Sequence, residues 1–256
     1  MKLKLSGLLL VFFLGSGLAA EPDYKRETRM ADEIVDAILD GDAQWLQTEW
    51  RQFLSIYTEA EELGTAVVIL HGRGFHPDWA DTVNPLRVGL AEQGFATLSL
   101  QMPVLKKEAT YYDYIPIFPY SHARIEAGIS FLREQGYKKV VLLAHSCGVH
   151  MAMSWVTVVG DAEIDAFIGL GMGATDYQQP MPLVFPLAEM KVPVLDLYGA
   201  NEFPAVIRQA PQRKSMIEKA GNSKSSQVLL ADADHYFTDR GDALVVEVVN
   251  WLESLN

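Results

Sequence analysis

The sequence predicts an α/β fold built on a doubly wound, mostly parallel sheet. Two observations predict it. Six short, continuous apolar runs recur along the chain, the mark of strands buried on both faces. Between them lie segments whose apolar residues recur at three- and four-residue spacing, the mark of helices packed on such a sheet. At 256 residues, with 49% hydrophobic and 21% charged side chains, the chain has the composition of one globular domain with a large core.

The first twenty residues read as a cleavable secretory signal. Lys2 and Lys4 give a basic start, Leu8–Leu14 an apolar run, and Gly17-Leu18-Ala19-Ala20 the small residues of a cleavage site. The run is short for a membrane span, so a periplasmic or secreted chain with no stable membrane anchor after cleavage is expected. Removing those two lysines, with no acid, would take the net charge from −12 to −14. So acidic a chain repels phosphate backbones, which argues against nucleic acid as a partner. Cys147 is the only cysteine, which leaves no internal disulfide.

Residues 21–63 read as an N-terminal helical arm. Met30, Ile34 and Ile38 hint at one helix; Leu46, Trp50, Phe53, Leu54 and Tyr57 line one face of another. From 64 to 256 the α/β pattern takes over. Strands are expected at Ala66–Leu70, Ala96–Leu100, Val140–Ala144, Ala166–Leu170, Val192–Tyr198 and Gln227–Leu230. Helices are expected at Pro85–Gln93, His122–Gln135, Val149–Val158, Ile207–Lys219 and Ala243–Leu255, joined by right-handed crossovers. No stretch calls for a second domain or a large cap. Two connections, Met102–Tyr120 and Met172–Met190, are rich in aromatic and apolar residues, as segments covering a core or a ligand are.

The residues that carry chemistry fall at the ends of these strands. In Ala144-His145-Ser146-Cys147-Gly148 an apolar strand runs through small-x-Ser-x-Gly into a helix. Such an elbow needs small flanking residues because the Ser occupies a sharp, strained turn. The turn aims the Ser146 hydroxyl outward and leaves the N–H of Cys147 free for a developing oxyanion. The Cys147 thiol itself sits one residue past the apex and reads as a buried small residue. His71-Gly72-Arg73-Gly74 follows the first parallel strand, where an N–H near Arg73 or Gly74 would complete the donor pair. Of six histidines only His235 follows the last strand, the place for a general base. Glu202 is the carboxylate a few residues past the Val192–Tyr198 strand; Asp176, after the preceding strand, is the alternative acid.

With HGRG, AHSCG, YGANE and ADH in this order, the chain from about residue 64 onward resembles the α/β hydrolases. More narrowly, HGRGFHPDW followed by ATLSLQMP resembles a bacterial family of unknown function within that superfamily. The resemblance implies a triad of Ser146, Glu202 and His235, with Ala144 departing from the usual Gly and Glu202 from the usual Asp. It implies hydrolysis of a small ester-like substrate through an acyl-enzyme, with no metal or organic cofactor. His76, Trp79 and Phe185 are candidate substrate contacts, although Asp78 and Trp79 also suit a helix start and its packing. A peptidase or amidase on the same residues, and a catalytically silent envelope binding protein, are the rival readings.

Overall fold

A computed structural model describes residues 20–61, 63–176 and 179–255. The segment that carries the signal-peptide reading lies, but for Ala20, outside the described residues. The chain order is α1 (Tyr24–Ile34), β1 (Asp42–Gln47), β2 (Gln52–Thr58), β3 (Thr65–Leu70), α2 (Val83–Glu92), β4 (Ala96–Leu100) and α3 (Tyr111–Tyr114). It continues with α4 (Pro119–Glu134), β5 (Lys139–His145), α5 (Cys147–Val159), β6 (Ala166–Leu170), β7 (Val194–Asn201), α6 (Pro204–Ala220), β8 (Ser226–Asp234) and α7 (Gly241–Glu253). The eight strands form one sheet in the order β1-β2-β4-β3-β5-β6-β7-β8. From β4 to β8 all pairings are parallel; β1–β2 and β2–β4 are antiparallel.

The apolar runs are continuous because the central strands are covered on both sides, and strand alternation sorts their residues. Val68, Leu70, Leu142 and Ala144 join one core with Ile125 and Ile129 of α4 and Val149 and Trp155 of α5. Val67, Ile69, Val141 and Leu143 point the other way, to Leu86 and Leu90 of α2 and Leu244 and Val248 of α7. All of these side chains are buried. The carboxyl ends of β3, β5, β6, β7 and β8 therefore emerge along one edge, where the loops meet.

The helical arm expected over 21–63 is corrected. Only Tyr24–Ile34 forms an α-helix, started by the Asp23 carboxylate accepting from Arg26 N at 3.0 Å. The segment holding Leu46, Phe53, Leu54 and Tyr57 is an antiparallel hairpin, with Leu46 opposite Phe53 and Trp45 opposite Leu54. Two local features override the helical spacing. Thr48 closes the turn: its hydroxyl accepts from Trp50 N and Arg51 N and donates to Arg51 O. Residues 52–58, QFLSIYT, are rich in aromatic and β-branched side chains and bury Phe53, Leu54, Ser55 and Ile56. Pairing with β4 satisfies the backbone of β2, so the sheet begins before residue 64 and no domain boundary falls there.

Helix α1 is held to the domain by charge rather than by an apolar stripe. Glu27 and Ala31 are its buried residues. Glu27 Oε2 meets Arg124 Nη2 of α4 at 2.9 Å, with both side chains at most 4% exposed. Glu27 Oε1 accepts from Val104 N, and Arg124 Nη1 donates to Gln101 O. Breaking such a pair from one side strands a buried charge. Arg124→Met is expected to cost about 3–5 kcal/mol in urea unfolding, and the double variant Glu27→Leu/Arg124→Met is expected to recover most of that loss.

Candidate active site

The turn from β5 into α5 is strained at one residue. Ser146 has φ 54° and ψ −117°, a left-handed backbone that a non-glycine residue rarely adopts. Its N–H donates to Leu170 O at 2.9 Å, which ties the apex to β6. Gly148 explains the small-residue pattern: a Cβ there would lie 2.7 Å from the carbonyl oxygens of both Leu70 and His71. Ala144, in the other small position, is buried between Leu70 and Gly169 in the sheet register.

The structure brings Ser146, His235 and Glu202 into one hydrogen-bonded chain. His235 Nε2 lies 2.8 Å from Ser146 Oγ, and His235 Nδ1 lies 2.7 and 2.9 Å from the two Glu202 oxygens. The His235 and Glu202 side chains are almost fully buried. Glu202 follows directly on β7 and also accepts from Phe203 N at 2.8 Å. Its extra methylene, relative to Asp, is accommodated over Gly171, where a Cβ would come within 2.6 Å of Glu202 Oε1 and 2.9 Å of the His235 ring.

The alternative acid, Asp176, does not reach His235. Its carboxylate forms two bonds with the Arg73 guanidinium, at 2.7 and 2.8 Å, and accepts from Tyr111 N. The Arg73 hydrogen bonds hold it below the usual carboxylate range. Asp176 thereby ties together the loops that follow β3, β4 and β6.

Two buried histidines brace this edge. His145 Nε2 lies 2.8 Å from the carbonyl oxygen of His235; a carbonyl only accepts, so this nitrogen carries the proton. His71 Nε2 accepts from Met102 N at 2.9 Å, so its Nδ1–H donates to Gly72 O at 2.8 Å. Burial lowers each of them from 6.5 to about 3 and keeps both neutral. His150, in α5, is lowered to about 4 by burial and lies between Tyr111 Oη at 3.2 Å and Ala174 O at 2.9 Å.

Ser146 and His235 open into a cavity of about 210 Å³, whose lining includes Arg73, Phe75, Lys107, Tyr111, Phe203 and Tyr236. Arg73 and Cys147, two of the expected oxyanion donors, line it; Gly74 does not. Gly74 adopts φ 74°, and its carbonyl accepts from Arg26 Nη2 at 3.2 Å. The same arginine donates to Leu105 O, which fastens α1 to the loops after β3 and β4. Burial pushes the Cys147 thiol up to about 12, so it carries no thiolate.

None of the three expected substrate contacts lines this cavity. His76 accepts from Asp78 N, and Trp79 stacks on Phe75 at 3.9 Å, one layer behind the wall. Phe185 is buried against His150, with ring centroids 5.1 Å apart. The lining residues that were not expected are Phe203 and Tyr236, immediate neighbours of Glu202 and His235; Lys107 and Tyr111 come from the aromatic connection after β4, which was expected to cover a core or a ligand. Phe203 stacks on the His235 ring at 4.2 Å. Adjacency to Glu202 and His235 is a usable signal for Phe203 and Tyr236. Among the described residues no group of three or more His, Cys, Asp or Glu side chains is placed to hold a metal ion.

A protein-family model described as a protein of unknown function, DUF3530, matches residues 18–114 and 120–254. The chain belongs to that family. No curated protein sequence matches it. Solved structures supply the fold. Est1E from Butyrivibrio proteoclasticus superposes with a TM-score of 0.63 at 13% identity, over 83% of this chain and 98% of that one. An esterase of Pyrococcus furiosus gives 0.63 at 16%, over 83% and 90%. A serine hydrolase without lid from Xanthomonas campestris gives 0.60 at 14%, over 85% and 96%. The eight-stranded sheet of this DUF3530 member is thus of the α/β-hydrolase type.

The buried neutral histidines make stability depend on pH. Unfolded, each takes up a proton near its usual 6.5; folded, His71 and His145 resist protonation down to about 3 and His150 to about 4. Their contribution is complete above pH 6.5 and is lost as the pH falls below it. Urea unfolding is expected to show stability dropping by up to about 1.4 kcal/mol per pH unit per histidine between pH 6 and 4. His150→Gln is expected to flatten that slope.

Proposed function

We propose that this protein is a secreted or periplasmic serine hydrolase that cleaves an ester or thioester-like bond through an acyl-enzyme on Ser146. The observation that carries the reading is the unbroken chain Ser146 Oγ–His235 Nε2 and His235 Nδ1–Glu202, which opens into a cavity. The esterase and hydrolase names of the structural neighbours support it, and the secretory pattern of residues 1–20 supports the location.

In the proposed cycle His235 takes the Ser146 proton as Oγ bonds to the substrate carbonyl carbon. The oxyanion is held by the N–H groups of Arg73 and Cys147. As the carbon–oxygen bond to the leaving alcohol breaks, His235 gives that alkoxide its proton. Water then attacks the acyl-enzyme, transferring its proton through His235 back to Ser146 and releasing the acid. Glu202 fixes the proton on Nδ1 and stabilises the transient imidazolium. The high-lying Cys147 thiol takes no part as nucleophile.

A fluorophosphonate probe is expected to label the purified protein and not Ser146→Ala. Glu202→Gln is expected to lower kcat on p-nitrophenyl esters by about 10²–10⁴-fold, because the neutral amide no longer enforces the tautomer. A wild-type protein that neither labels nor cleaves these esters would rule the hydrolase reading out.

A further inference from the structure

Beside the cavity that holds Ser146 lies a larger one of about 580 Å³. The two share Arg73, Thr175, Phe203 and Tyr236, so they adjoin along these residues; Asp176, the partner of Arg73, lines the larger one. Their charge runs against that of the chain. The whole sequence carries 33 acidic and 21 basic side chains. The charged residues lining the two cavities, His235 aside, are Arg73, Lys107 and Arg208 against one carboxylate, Asp176.

That carboxylate is already matched by the two-bonded Arg73. Lys107 and Arg208 are not matched. Among the described residues neither has a carboxylate within ion-pair distance, and the one bond of the Arg208 side chain is a long 3.4 Å contact to Pro204 O of its own helix. Glu202 lies beneath His235, its side chain fully buried, and is absent from both linings. A solvent-accessible guanidinium facing a mostly apolar recess made by Phe203, Pro204, Ala205 and Tyr236 suits a ligand with a short hydrocarbon part ending in an anion.

We propose that the substrate is an anionic ester: one bearing an ionised carboxylate a few atoms from the scissile bond, seated in the larger cavity against Arg208, with the scissile bond reaching Ser146 past Arg73, Thr175, Phe203 and Tyr236, where the two cavities meet. The inference rests on hydrolysis at Ser146 and names its substrate class. The positive mouth on an acidic protein also draws such a substrate in from solution.

The test compares matched esters at low ionic strength. With the anion on the acyl side, the mono-p-nitrophenyl ester of glutaric acid is set against p-nitrophenyl hexanoate. With the anion on the leaving group, 4-acetoxybenzoate is set against its methyl ester. In at least one pair the anionic member is expected to have kcat/KM about tenfold higher, the scale of one charge-assisted contact. That ratio is expected to fall with added salt, to approach one in Arg208→Gln and to drop below one in Arg208→Glu. Neutral esters turned over as well as or better than both anionic partners, or a ratio unmoved by Arg208→Glu, would overturn the inference and leave the hydrolase reading standing. Turnover of no ester at all would remove both.

Discussion

The strained backbone at Ser146 is the constraint on which the rest of the site depends. A serine at φ 54° and ψ −117° persists only if its surroundings hold it there. They do so from three sides. Ser146 N is bonded to β6, α5 begins at the next residue, and Gly148 lets that helix approach the end of β3 to a distance that no side chain would permit. The hydroxyl is thereby fixed at the carboxyl edge of the sheet, and every other group of the site is arranged toward that point.

The same economy of space recurs around it. Gly171 clears the path of the Glu202 carboxylate to His235, so a side chain longer than Asp fits without displacing the imidazole. His145 and His71, at the ends of neighbouring strands, stay neutral because they are buried. Each then makes a directional bond: His145 to the His235 carbonyl, and His71 to Gly72 and the Met102 N–H. Arg26 fastens the loops after β3 and β4 to α1, and Asp176 ties the same two loops to the one after β6. The site rests on a rigid sheet edge and on loops that are tied to one another.

How much of this was legible in the sequence follows from the range of the interactions involved. The elbow, the parallel strands, and the positions of His235 and Glu202 are set locally, by a strand end and the few residues after it, and the sequence pattern displays them. The hairpin at 42–58 has a helix-like sequence because Leu46, Trp50, Phe53 and Tyr57 fall at helical spacing, while the deciding pairing of β2 with β4 spans some forty residues of chain. The fate of Asp176 depended on Arg73, 103 positions away. The same holds for the cavity wall. Phe185 looked like a pocket residue by composition, but the path of its loop sends it beneath His150, and Tyr111 takes a place on the wall.

The most direct measurement of the central claim is rapid-quench mass spectrometry of the protein mixed with a p-nitrophenyl ester, followed by peptide mapping. An acyl adduct that appears within the first turnover on the peptide containing Ser146, and is then lost to water, is the predicted result. An adduct on another residue, or release of p-nitrophenol with no protein-bound acyl group at any time, would contradict it.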